Sequence, residues 1–141
     1  MIEDVIENWH RHIRGEFPGG LDELLADDVT FLSPIVFTPQ EGKELTKLYL
    51  GAAGNTLGGS KEGDDGQKKP KFRYTKEVLS GNHAVLEFES EIDGKYTNGV
   101  DIITINDEGK ISEFKVMIRP LQAVNAIHAQ MAAMLKKMQA E

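Results

Sequence analysis

Apolar residues recur along this chain at two periods, and the change of period divides it. In IEDVIENWHRHIRG, residues 2–15, Ile2, Val5, Ile6, Trp9 and Ile13 fall three and four apart, which places them on one face of a helix. Acids stand near its start and Arg11 and Arg14 near its end, the arrangement the helix dipole favours. Pro18–Gly19–Gly20 breaks the pattern; LDELLADD (21–28) then predicts a short second helix and VTFLSPIVF (29–37) a strand interrupted at Pro34. Past Pro39 and Gly42, KELTKLYLGAAG (43–54) predicts a third helix ending in glycine. Residues 54–70, GNTLGGSKEGDDGQKKP, show no period. They are expected to form a flexible loop, most mobile over 56–69, with a lid as the functional alternative.

Beyond that loop the period becomes two. KFRYTKEVL, HAVLEFESEI, YTNGVDIITIN and KISEFKVMIR read as strands, separated by turns such as Asp93–Gly94 that are too short for parallel crossovers. An antiparallel meander follows. In AVLEFESEI, Leu86, Phe88 and Ser90 oppose Val85, Glu87, Glu89 and Glu91. In ISEFKVMI, Phe114, Val116 and Ile118 oppose a mixed row of Ile111, Glu113, Lys115 and Met117, subject to where a bulge falls. After Pro120 a tail helix over 121–139 carries Leu121, Val124, Ile127 or His128, Met131, Met134 or Leu135, and Met138 on one side. The expected class is α+β in one domain, 1–141, with helices in the apolar concave face of a curved antiparallel sheet.

Composition narrows the function classes. A net charge of −7 disfavours nucleic acid and anionic membrane as partners. The absence of cysteine excludes disulfides, thiolate nucleophiles and Cys-ligated zinc, and suits a reducing cytoplasm. No apolar run approaches the ~20 residues of a membrane span, and MIEDVIENWH lacks the basic start of a signal peptide. The four histidines show no metal-ligand spacing, so neither metal nor cofactor is expected. His10 and His12 flank Trp9 and are expected in solvent, His83 in a turn, and His128 beside the apolar stripe at the pocket mouth. GGSKEGDDG matches no phosphate-binding loop.

Asp101 is the conspicuous residue. It interrupts the apolar run NGVDIITIND, where a bare carboxylate must face water, find a partner or keep its proton. Strand alternation puts it on the side of Gly99 and Ile103, facing the apolar concavity, with Trp9 the nearest plausible donor. Desolvation is then expected to raise its pKa above the ~3.9 of a free aspartate.

LLADDVTFLSP, the Pro- and Gly-containing loop and helix after it, and VDIITINDEGKI in the penultimate hairpin together resemble the nuclear transport factor 2-like superfamily, in its SnoaL-like and ketosteroid isomerase branch. The resemblance implies a cone of helices in a curved sheet, a pocket for a small apolar molecule at its wide end, and homodimers through the outer sheet face. It places Asp101 where the isomerases hold a protonated acid that hydrogen-bonds an oxyanion. Trp9 stands where they place a partnering tyrosine, and Ser33 where they place the aspartate base. A serine hydroxyl is no base near pH 7 without a neighbour to activate it.

The expected pocket lining is therefore Trp9, Ser33, Tyr49, Phe88, Asp101, Phe114, Val116, Ile118 and His128, with Tyr74 a further phenol and Asp101 the catalytic candidate. Two readings stand: a binder of a small apolar molecule, with a cofactor-independent isomerase, cyclase or lyase as its catalytic form, and a non-catalytic ligand-binding or homodimeric module. Outer-row Glu87, Glu89 and Glu91 need cations opposite, and Lys115 and Arg119 are the expected supply, within or across subunits.

Overall fold

The computed structural model describes residues 1–57 and 72–140. Helix α1 (Ile2–Ile13) buries Ile2, Val5, Ile6 and Trp9, whereas Ile13 in its last turn is exposed. Gly15 follows at φ 77, a left-handed value that releases the chain from the helix. Helix α2 (Gly20–Leu24) is shorter than LDELLADD predicts. Residues 25–28 instead open strand β1 (Leu25–Leu32), because Leu25 and Ala26 are buried in the core and Leu25 pairs with Ile111.

Strand β2 (Gln40–Glu41) turns back on β1, and helix α3 (Lys43–Leu57) runs past Gly54. The first residues of the expected loop are thus helical; from 58 on, the mobility and lid expectations lie outside the described residues. Strands β3 (Arg73–Ser80), β4 (His83–Ile92), β5 (Lys95–Ile105) and β6 (Ile111–Arg119) form the expected meander, and helix α4 (Leu121–Ala140) closes the chain.

The sheet order is β2-β1-β6-β5-β4-β3. The meander therefore gains two strands at its β6 edge, and β1 lies parallel to β6 with Phe31 opposite Phe114. A register shift between Thr104 and Ile105 pairs Ile105 with Ile111 and Thr104 with Glu113. This extra residue brings Ile111 into the buried row that Phe114 and Val116 continue. The concave side, lined by Leu86, Phe88, Ile103 and Phe114, receives α1 on β3 and β4, α3 on β1, and α4 on α3 and the β4–β6 strands.

Helix α4 buries Ala123, Ile127 and Met131, spaced four apart, and leaves Leu121 72% exposed. Ile127 and Met131 hold the expected stripe, whereas in the first turns Ala123 is buried in place of Leu121; the side chains at 134, 135 and 138 lie outside the described residues. His128 faces solvent.

On the outer face Glu87 and Glu89 find their cations on β3 rather than in Lys115 or Arg119, the latter donating to Asn98 Oδ1 at 3.2 Å. Arg73 pairs with Glu89, and Lys76 lies 3.8 Å from Glu87, both within one chain. The register explains the choice: β3 is the direct neighbour of β4, with Arg73 opposite Glu89 and Lys76 opposite Glu87. Beside these pairs the same face carries Val78, Val85 and Ile102 in one cross-strand row, with Val100 and Met117 in the next.

Candidate functional site

Alternation along β5 turns Gly99, Asp101, Ile103 and Ile105 toward the concave side, where all four are buried. Directly across from Asp101 lie Leu86 on β4 and Val116 on β6, neither of which can hydrogen-bond a carboxyl through its side chain. One row nearer the ends of the strands, Tyr74, Phe88, Gly99 and Ile118 stand side by side. A Cβ on Gly99 would lie 2.6 Å from Cζ of Phe88, so the Phe88 ring occupies the space that any larger residue would take.

The polar partner is Tyr74, which donates to Asp101 Oδ2 at 2.6 Å. Trp9 does not reach the carboxyl; its indole N–H donates instead to the Tyr74 oxygen at 2.9 Å. Trp9 is thus one step removed from the role expected of it, because Tyr74 stands between them. Burial pushes the Asp101 carboxyl up to about 7, although the Tyr74 hydrogen bond favours its charged form. Burial and the neighbouring carboxylate push the Tyr74 phenol well above its ordinary value, so it remains a donor.

Aromatic rings wall this relay. Trp9 packs on Phe114 with centroids 5.0 Å apart, Phe114 meets Phe31 at 6.2 Å, and Phe31 stacks with Tyr49 at 5.7 Å. Phe72 stacks on Phe88 at 4.8 Å and meets Tyr74 edge-on. Trp9, Phe88 and Phe114 are each at most 4% exposed. Tyr49, Phe72, Tyr74 and Ile118 are half-buried around that core. The structure therefore gathers Trp9, Phe88, Phe114, Val116 and Ile118 with Asp101 on the concave side, and joins Tyr49 to it through Phe31. His128 stays apart on the solvent side of α4.

Ser33 has a different task. Its hydroxyl oxygen accepts the backbone amides of Ile35 and Val36 at 2.9 and 3.1 Å, which shapes the turn after β1. His10 and His12 are half-buried rather than free in solvent: His10 Nε2 lies 2.8 Å from Glu77, and the His12 ring packs on Trp9. Among the described residues no cluster of three or more His, Asp or Glu could hold a metal, and no helix is long and apolar enough to cross a membrane.

Tyr74, expected only as a further phenol, is the residue that joins Trp9 to Asp101. Its signal lay in register: pairing KFRYTKEVL with HAVLEFESEI places Tyr74 opposite Phe88, on the face that Asp101 shares.

A surface recess of about 450 Å³ lies elsewhere, lined by residues 25–28, Lys43, residues 106–108 and Lys110. It sits at the far end of β5, beyond Ile105. Its lysines are occupied: Lys43 lies 3.2 Å from the Asp27 carboxylate, and Lys110 donates to the Glu23 carbonyl at 2.7 Å.

Among solved structures, a steroid Δ-isomerase from Pseudomonas aeruginosa is 27% identical, with a TM-score of 0.85 over 99% of this chain and 95% of that one. An uncharacterised protein with a cystatin-like fold from Silicibacter pomeroyi is 31% identical, with a TM-score of 0.69 over 80% of this chain and 72% of that one. An NTF2-like protein of unknown function from Mesorhizobium loti is 15% identical, with a TM-score of 0.65 over 84% of this chain and 91% of that one. No protein-family model matches the chain, and no curated protein does.

Proposed function

The chain belongs to the nuclear transport factor 2-like superfamily, in its SnoaL-like and ketosteroid isomerase branch, and on that premise we propose that it binds a small, mostly apolar molecule on the concave side of its sheet with Asp101 as the polar anchor. The observation that carries this reading is a buried carboxyl at about 7, held by a phenol among aromatic and aliphatic walls. Such a carboxyl exists in substantial part as the acid near neutral pH, and an acid donates to a carbonyl, enolate or phenolate oxygen. Each of those offers an oxygen acceptor on an apolar body, which suits these walls.

What the site lacks limits its chemistry. Ser33 is spent on the Ile35 and Val36 amides, so it offers no base to take a proton from a bound molecule. The acid alone can polarise a carbonyl, and any turnover would be an isomerase, cyclase or lyase step that needs no cofactor and draws its base from the substrate or from solvent.

The chain's single tryptophan reports on the site. Titrating apolar ketones and phenols against the protein should change Trp9 emission, and Asp101→Leu, which removes the donor that an asparagine amide would retain, should weaken binding by about tenfold, the worth of one hydrogen bond of ~1.4 kcal/mol. Equal affinity in wild type and variant would remove Asp101 as the anchor.

A second reading, a non-catalytic homodimeric module, is favoured by the outer face. Val78 and Met117 are 52% and 51% exposed there, beside Val85, Val100 and Ile102. With Glu87 and Glu89 already paired inside one chain, this apolar stripe replaces charge as the reason for a second copy to cover it. Light scattering at ~10 µM that gives monomer mass alone would count against the dimer; Met117→Asp should dissociate it.

A further inference from the structure

Trp9, Tyr74 and Asp101, drawn from α1, β3 and β5, form a hydrogen-bond chain whose direction chemistry fixes. An indole N–H is a donor with no acceptor capacity, so at the Trp9–Tyr74 contact the phenolic oxygen must accept. That orients the phenol's one proton along its other contact, toward Asp101 Oδ2. Oδ2 then accepts in both protonation states of the carboxyl.

We infer that Trp9 and Tyr74 are positioning residues, which confine the proton of neutral Asp101 to its other oxygen, Oδ1, and so select the atom that donates to a bound molecule. The inference deepens the proposed anchoring role of Asp101 and rests on it for its use. Both partners are themselves fixed. Trp9 is wedged between Phe114 and His12. The Tyr74 ring is met edge-on by His10 at 5.4 Å and by Phe72 at 5.0 Å. His10, tied to Glu77 at 2.8 Å, is the titratable group that touches Tyr74 from α1. The direct β4 and β6 neighbours of Asp101, Leu86 and Val116, carry no titratable group.

Without Trp9's donor the phenolic oxygen is free to accept, and neutral Asp101 gains a second arrangement in which it donates from Oδ2. The neutral acid is thereby favoured. Without the phenol the anion loses a hydrogen bond, which favours the acid further. The test is the ligand-free titration of the Asp101 carboxyl carbon by ¹³C NMR in protein labelled at aspartate, with Asp101→Asn assigning the signal. Tyr74→Phe should raise the midpoint by about 1 pH unit and Trp9→Phe by roughly half as much.

Benzothienylalanine at position 9 keeps the indole's shape without its N–H, and should match Trp9→Phe; it also decides the matter if the phenylalanine variant folds poorly. A midpoint unmoved by either Trp9 replacement would make Trp9 a packing residue and overturn the relay. His10→Gln should leave the order of midpoints unchanged, and a reordering would assign the effect to His10 instead. Ligand screens that find no binding to Asp101 would end the anchoring role while leaving this titration order standing; a failed titration with intact binding would do the reverse.

Discussion

The Asp101 relay and the charged recess at the far end of β5 make opposite use of polar residues. The recess offers about 450 Å³ of open space, but its lysines are held by neighbouring carboxylates and carbonyls at or near the surface. Water screens every charge there, so none is driven to seek a ligand. At Asp101 the rings pack close and leave the carboxyl under tension between its burial and one phenolic donor. Open volume and chemical readiness are separable properties, and in this fold they lie at different ends of one strand. The site is marked by a carboxyl that its surroundings cannot fully satisfy as an anion.

Removing a wall of the relay should give the largest effect. Phe114 is 1% exposed, touches Trp9 and Phe31, and sits where β6 meets β1. Phe114→Ala should cost about 3–5 kcal/mol in urea denaturation, as loss of a buried ring generally does. A cost under ~1 kcal/mol would mean that the rings pack loosely, and the contrast with the recess would fail.

Next in size is the pH dependence of Asp101→Asn. The folded carboxyl sits at about 7 against an ordinary value of 3.8, so the folded protein binds more protons than the unfolded chain between those limits. Stability from this group is complete below the unfolded pKa and is lost as pH rises through the folded one. At ~1.4 kcal/mol per unit, the ionised carboxyl costs up to about 4 kcal/mol above pH 7. The variant should therefore exceed wild type at pH 8 and lose most of that advantage by pH 4. Denaturation midpoints that differ by a constant amount across this range would show that Asp101 does not titrate within it.

Much of this contrast was legible in the sequence. The alternation of AVLEFESEI and the isolated Asp101 in NGVDIITIND were enough to place an acid among apolar neighbours, because strand parity is a local property. The Trp9 face followed from a helix period. Tyr74 was harder, since its partner lies 27 residues away and depends on the pairing of β3 with β4 and of β4 with β5. Leu25 and Ala26 read as helix because their burial comes from β6, some 86 residues on in the chain. Nothing local in LLADD records that contact. Ser33 was visible as a missing base, whereas its work on the Ile35 and Val36 amides is a matter of turn geometry.

A smaller effect is expected at Gly99. An alanine there would bring Cβ to 2.6 Å from both Phe88 Cζ and the Met117 carbonyl oxygen. Backbone and ring must both yield, so Gly99→Ala should cost roughly 1–3 kcal/mol and turn the Phe88 ring away from β5. The displaced ring is the wall next to Asp101, and the variant should also change Trp9 emission on ligand addition. Unaltered stability would indicate that Phe88 already moves freely.

The smallest effect belongs to the recess itself. Lys110 holds the Glu23 carbonyl at 2.7 Å and lies 3.6 Å from its carboxylate, with the two side chains 36% and 63% exposed. Solvent already competes for both charges, and fixing two long side chains loses rotamer entropy that offsets the attraction. Lys110→Ala should therefore change stability by less than about 1 kcal/mol, and added salt should shrink even that. Its change should also be flat between pH 5 and 8, where the Asp101 variant should show its slope. Thermal denaturation of the two variants side by side tests the contrast directly. A Lys110 effect as large as that of Phe114→Ala would place structural tension at the recess, and the division between the two ends of β5 would fall.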